Sequence, residues 1–315
     1  MEKNFPAGHR TVKIEALPAG VLKPPKKPGE NLTGWLYVLP ALIPLLLFWI
    51  FPVIYSFCIS FTDWDMMAKN FNLVWLRNYG SLLRSPKFYQ VLGNTLVFAL
   101  GSTVPSIVLS LLLALLLSGL RRGRDFFRSV IFSPYITPMV AVSIVWSWIF
   151  EERAGVLNFV LSLFGIRGLR WTAGMDTAML SVIIVTVWKQ IGWFMVFYVE
   201  ALQRVPQGLL EAAAIDGAGI LRRFLHIMIP LVSPVTFFLV IIGTITSLQA
   251  YDQIQVLTGG GPAGATRTLL YYYYQEAFVN FAAGRASAVA VFILLITAGL
   301  SLAETVISKR MIHYG

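Results

Sequence analysis

The chain has 315 residues, and hydrophobic types make up 57% of them against 13% charged, about half the charged share of an ordinary soluble protein. Mean hydropathy is +0.71; so few charges cannot clothe a soluble surface, which excludes a disordered chain, a coiled coil and an ordinary soluble enzyme. One cysteine, Cys58, excludes a disulfide framework and a thiolate metal cluster, and the formal charge of +10 reads as basic loops that orient membrane spans rather than as a nucleic-acid footprint.

The tail 1–34 has no periodic apolar pattern. Its Pro24-Pro25-Lys26-Lys27-Pro28 run reads as an extended linker, and its six basic residues suit attraction to anionic lipid. A spanning helix needs roughly 20 mostly apolar residues. Stretches free of Asp, Glu, Lys and Arg run over 31–62, 88–120, 129–150, 224–251 and 286–303, and 177–199 is interrupted only by Lys189. They predict an all-α membrane protein with six spans, at 36–61, 91–118, 129–150, 178–201, 230–256 and 285–307. The first run begins too late and is too long for a secretory signal. The loops 63–90 and 151–176 are long enough for short amphipathic helices, with Trp64, Trp75 and Trp171 as interfacial anchors. Fifteen Lys and Arg fall on the side of the two termini against eight on the other, so both termini are expected in the cytoplasm.

The connection 204–230 after the fourth span is too long and helix-prone for a turn. Pro206 can start a helix, Leu209, Leu210, Ala213 and Ala214 form its apolar face, and Glu211 lies outside that face. Gly217 and Gly219 permit a sharp break. A second short helix, 220–229, is expected next, with Pro230 ending it. Two short helices at a break make a docking knob, and small residues at Ala212 and Ala213 let a partner backbone come close.

Two spans carry polar groups that lipid does not tolerate on all sides. Lys189 lies mid-span, where a charge normally faces a cavity or a partner. Thr186, Gln190 and Trp193 share one helical face at i, i+4 and i+7. The fifth span holds Thr244, Thr246, Ser247, Gln249, Tyr251, Asp252, Gln253 and Gln255. Aromatic rings beside amides and hydroxyls suit a sugar, with its apolar ring face and polar rim; interhelical hydrogen bonding is the plainer use of such groups. Signals for other classes are weak. The turn 259–266 has phosphate-loop glycine spacing but Ala265 where lysine is required. His9, His226 and His313 share no metal-ligand spacing. A secondary transporter or channel would show intramembrane half-helices or an acidic relay, yet only Asp252 and Glu304 fall near span ends. A membrane enzyme would need a catalytic cluster at the interface, and none is legible.

Glu211-Ala212-Ala213 with Asp216-Gly217, followed by Ile229-Pro230, resembles the EAA loop of permease subunits in binding-protein-dependent ABC importers. The longer Glu-Ala-Ala-Ala-Ile-Asp-Gly-Ala-Gly form, with Arg222-Arg223-Phe224 after it, is similar to the carbohydrate class, which includes permeases for maltose, other oligosaccharides and glycerol-3-phosphate. Ser133-Pro134-Tyr135, the turn 258–262, Thr268-Leu269 and Tyr274-Gln275-Glu276-Ala277-Phe278 resemble that class too. Arg285 departs from it, standing where a Gly-Tyr-Ala-Ser run has tyrosine. The resemblance implies a multi-pass subunit of the bacterial inner membrane, with the transmembrane domain over 35–315 and the coupling loop over 204–230. It implies that Glu211, Ala212, Ala213, Asp216, Gly217 and Pro230 couple to a dimeric ATP-binding subunit. It also implies a second permease subunit, an extracytoplasmic solute-binding protein, a sugar substrate, surrounding lipid, no nucleic acid and no cofactor. The translocation site of the family maps to Thr186, Gln190, Trp193, Thr246, Ser247, Ala250 and Tyr251, with Ala250 standing where some members have a polar side chain. Without a lysine-bearing phosphate loop, the purified chain is expected to hydrolyse no ATP in a phosphate-release assay; turnover free of any ATP-binding subunit would remove the importer reading.

Overall fold

The computed structural model describes residues 30–120 and 122–311, with side chains over 37–120 and 122–306. The proline run of the tail, its basic residues, Arg121 and His313 lie outside the described residues, as do the side chains of Lys309 and Arg310. Contacts divide the chain into two compact units between Val53 and Ile54.

Helix α1 (Glu30–Leu45) passes through a π turn, Leu46–Ile50, into α2 (Phe51–Ile59). The first span, Tyr37–Ile59, lies on this continuous helix. The chain then forms α3 (Arg77–Leu83), α4 (Pro86–Ser118), α5 (Arg124–Ile136), α6 (Met139–Ile149), α7 (Val156–Leu163) and α8 (Ala178–Gln203). Next come α9 (Gln207–Ile215), α10 (Ile220–Arg223), a π turn at Phe224–Met228 and α11 (Ile229–Leu248). The last elements are α12 (Asp252–Leu257), α13 (Leu269–Tyr274), a π turn at Gln275–Val279 and α14 (Ala283–Met311). Among the described residues the only strand-like feature is one isolated bridge, Thr62 to Leu73.

Among the described residues five helices are long and apolar enough to cross a membrane, and a sixth crossing needs α5 and α6 counted together. Here the expectation of one straight helix over 129–150 is corrected: α5 and α6 meet at 99°. The cause is Thr137-Pro138. A residue before proline is pushed out of the helical region, and Thr137 is extended, with ψ 135°. The fifth span is corrected at both ends. It runs without interruption from Ile220 to Leu248, so Pro230 does not end a short helix. It then breaks at Gln249–Tyr251 before α12, where a continuous helix to 256 was expected.

Pro230 is tolerated because of the π turn in front of it. A mid-helix proline is costly because it lacks an N–H for the carbonyl four residues back and because its ring clashes with that carbonyl. For Pro230 that carbonyl is His226, inside Phe224–Met228, where acceptors look to the N–H five residues on; Ile229 N–H, for example, bonds to Phe224 O. Pro52 stands in the same relation to Leu46–Ile50, with Phe51 N–H on Leu46 O.

Within Ile54–Gly315 the α4–α8 pair is the centre, with α5 and α11 packed on it. In lipid, apolar area gives little drive for helix association; close van der Waals approach and interhelical hydrogen bonds replace it. Accordingly α4 turns small residues inward: Thr95, Ala99, Ser102, Ser106, Ser110 and Ala114 are all buried. Ser110 Oγ donates to Ile191 O at 3.0 Å and Ser102 Oγ pairs with Ser247 Oγ at 3.0 Å. Tyr198, fully buried, donates to Thr236 Oγ1 at 3.0 Å. A second cluster, Leu82, Phe88, Leu269, Tyr272 and Val289, joins α3, α4, α13 and α14. The loops do hold short helices, α3 and α7. Trp75 is 68% exposed, as an interfacial anchor should be, but Trp171 is buried against Phe150 with Nε1 donating to Asn158 Oδ1. That loop folds back on α6 and α7, so Trp171 is a core residue and not an anchor.

Among the described helix–helix contacts the tightest approach is at Gly192. A Cβ there would lie 2.1 Å from Ile131 O, on the backbone of α5. Gly192→Ala is therefore expected to destabilise the protein by about 1–3 kcal/mol, read as a lower melting temperature in detergent. Gly93→Ala, where a Cβ meets nothing within 4 Å, should leave stability unchanged or raise it slightly.

Candidate functional site

A helix broken inside the bilayer leaves carbonyls at its C-terminus without partners, and each unsatisfied group there costs free energy. At the α5–α6 break one side chain answers them. Lys189 Nζ, from α8, donates to Pro134 O at 3.3 Å, Tyr135 O at 2.7 Å and Thr137 O at 2.7 Å. An ammonium has three protons, and all three are used. The cation also sits at the negative end of the α5 dipole and 5.2 Å from the centre of the Tyr135 ring. Tyr135 in turn stacks on Trp193, with centroids 5.3 Å apart and planes at 13°. The mid-span charge thus faces a cavity, as the sequence suggested, but its protons go to backbone.

Two adjoining cavities open here. The smaller, of about 200 Å³, has Thr186, Lys189, Gln190, Trp193, Thr246 and Ser247 on its wall. The larger, of about 450 Å³, is lined by Thr246, Gln249, Ala250, Tyr251 and Asp252 together with side chains of α13. Met139, Thr246 and Gln253 line both. The seven positions carried over from the family therefore come together, with Thr246 at the junction. They are not equivalent. Ser247 is buried and its hydroxyl is shared with Ser102 and Thr103, which is the helix-packing use of such a group. Gln190 and Gln253 keep amides at the wall with only loose contacts of 3.4 Å: Gln190 donates to Thr246 Oγ1 and accepts from Ser106 Oγ, and Gln253 donates to Thr186 Oγ1. Tyr251 lies 4.8 Å from Tyr274 and 6.0 Å from Tyr271, ring to ring. Tyr135, Met139, Tyr273, Tyr274 and Phe278 also line the cavities and are not among the path residues expected from the sequence. The Thr137-Pro138 dipeptide is the signal beside the first two, and the tyrosine run 271–274 is conspicuous in the sequence without showing which cavity it joins.

The positions to which the resemblance assigns coupling do not line either cavity. Helix α9 ends in a motif that only glycine accommodates easily. Gly217 has φ +79°, Ala218 N–H bonds to Ala213 O at 2.9 Å and Gly217 N–H to Ala214 O at 3.1 Å, the paired bonds of a Schellman ending. Glu211, Ala212, Asp216, Gly217 and Pro230 are exposed and Ala213 is half-buried. Ile215 and Ile220, flanking the break, are 87% and 80% exposed. Arg285, the departure from the family pattern, donates to Tyr272 OH at 2.9 Å and pairs with the buried Glu276 at 3.6 Å.

Residues 106–313 match the family of binding-protein-dependent transport system inner membrane components, and the chain belongs to that family. It is an inner-membrane permease subunit of an ABC importer. The chain is 34% identical to the probable ABC transporter permease protein YurN of Bacillus subtilis, with 87% of this chain and 95% of that protein covered. It is 33% identical to the sn-glycerol-3-phosphate transport system permease protein UgpA of Agrobacterium fabrum, over 91% of this chain and 98% of that one. Its fold is similar to a chain in the crystal structure of a bacterial ABC transporter that imports the acidic polysaccharide alginate, with a TM-score of 0.77, 21% identity and 90% and 97% coverage. Half-helix breaks, expected to mark a secondary transporter, are present here at 137–138 and 249–251; they do not separate the two classes.

Lys189→Met keeps the length of the side chain and removes every donor, so the three carbonyls of the break lose their partner. It is expected to cost about 2 kcal/mol, seen as a lower melting temperature in detergent, with Lys189→Gln recovering part of the loss.

Proposed function

We propose that this permease translocates a sugar or oligosaccharide handed over by a solute-binding protein, as one of two different permease subunits around a shared path. The observation that carries the substrate class is the lining of the two cavities. Tyrosine rings, Trp193, amides of Gln190, Gln249 and Gln253, and the hydroxyls of Thr186 and Thr246 supply flat apolar surface beside donors and acceptors, which is what a sugar ring presents. Glycerol-3-phosphate is the second reading, favoured by the names of several relatives.

In this reading α9 and both termini are cytoplasmic, and the α13 end faces the binding protein. Glu211, Ala212, Ala213, Asp216 and Gly217 seat α9 in a cleft of a dimeric ATP-binding subunit, which alone hydrolyses ATP. Ile215 and Ile220 are the exposed apolar residues that a partner would cover. Closure of the ATP-binding dimer pushes on α9. Because α10, the π turn and α11 are one continuous helix, the push reaches Thr246 at the cavities as a rigid-body movement. The path then alternates between its two openings.

A Cβ at Gly217 meets nothing within 4 Å, so a side chain there strains only the left-handed ending of α9 (φ +79°), leaves the packing of the spans untouched and projects into the space a partner would occupy. Gly217→Asp is expected to abolish uptake of labelled sugar by whole cells while the amount of chain in the membrane stays at the wild-type level. Wild-type uptake by this variant would contradict the coupling role.

A further inference from the structure

Relatives of this chain are named for a phosphate ester, and a structural neighbour imports an acidic polysaccharide. Family membership therefore leaves the charge of the cargo open, and the cavity walls speak to it directly. A phosphate or carboxylate in a low-dielectric site needs charge-assisted donors, which means Arg or Lys with protons to spare. The larger cavity has no Lys, Arg or His on its wall. Its one formal charge is negative: Asp252, exposed and without an ion-pair partner among the described residues. Arg267 follows the same turn but does not line this cavity. The smaller cavity has a single cation, Lys189, and its three N–H bonds already end on the carbonyls of Pro134, Tyr135 and Thr137. An anion that recruited Lys189 would strip the donor from the α5–α6 break.

An uncharged sugar meets none of these costs. Its hydroxyls can donate to the Asp252 carboxylate and exchange bonds with the amides of Gln249 and Gln253, while its ring face lies against Tyr251 or Tyr274. We propose that this subunit's wall selects an uncharged carbohydrate and rejects anionic ones, with Asp252 setting the sign of the discrimination. The inference rests on the reading that the two cavities lie on the substrate path.

The test uses the full-length chain in membrane vesicles, in a Cys58→Ser, Gln249→Cys background. The new thiol is reacted with a trimethylammonioethyl and a sulfonatoethyl methanethiosulfonate, and the rate ratio is normalised to that for free mercaptoethanol. The cationic reagent is expected to be favoured by about fivefold, and adding Asp252→Asn should bring the ratio close to one. Equal rates in the parent, or a faster anionic reagent, would overturn the inference. A second arm asks what protects the thiol. Neutral sugars (glucose, galactose, maltose, maltotriose) are expected to slow labelling, and glycerol-3-phosphate and galacturonate are not. Protection by the anions as strong as by the neutral sugars overturns the charge selection and leaves the path intact. Protection by neither group removes the path reading, and the inference with it.

Discussion

The three hydrogen bonds from Lys189 to the α5–α6 break are the contact on which the interior of this permease depends. A backbone break within the membrane is tolerable only where its polar groups find partners inside the protein. Three carbonyls converge near the end of α5, and one ammonium from the neighbouring helix fits them. The exchange works both ways. The carbonyls replace the hydration that a mid-span lysine gives up, and the lysine replaces the helical N–H groups that Thr137-Pro138 removes. The break in turn sets Tyr135 on one side of it and Met139 on the other, both at the cavity wall. Without it, α5 and α6 would be one rod of the kind expected from composition, and no side chain from that rod would turn towards Trp193 in this way.

Around this contact the helices are held by small residues and hydroxyls rather than by large apolar ones. The α4 stripe lets α8 and α11 approach closely, and its serines satisfy their hydroxyls partly across the interfaces. Gly192 carries the closest approach between two of these helices, backbone against backbone with α5. That closeness puts Lys189, less than one helical turn earlier in α8, within reach of the α5 terminus. A lysine side chain held farther away could not reach all three carbonyls. Packing on one side of the α5–α8 contact and electrostatics on the other are therefore a single device.

The spans were legible because charge-free runs of the right length have no alternative in a chain this apolar. The polar face of α8 was legible too, since i, i+4 and i+7 spacing survives any detail of packing. The break at Thr137-Pro138 was visible as a dipeptide and still misread, because the apolar run continues across it and hydropathy does not register backbone direction. Pro230 misled for the opposite reason. A proline normally stops a helix, and the π turn that excuses it has no composition of its own. Trp171 looked like an interfacial anchor and is a core residue, because Asn158 holds its indole N–H at a distance of thirteen residues in the chain. The tyrosines of α13 join the cavity only through tertiary packing, which one sequence read alone does not express.

The π turn at Phe224–Met228 has a meaning for how such a chain can change. A π turn amounts to one extra residue wound into an α-helix. The wide turn absorbs that residue, so removing one there restores ordinary winding and leaves the two flanks facing nearly as before. The α9 knob lies before this point in the chain, and Thr246 and Ser247 lie after it, so their relative facing survives such a deletion. What does not survive is the accommodation of Pro230, whose ring would then meet the His226 carbonyl. A residue removed between Pro230 and Thr246 has no wide turn to absorb it and, at 3.6 residues per turn, swings the polar face by about 100° away from the cavity.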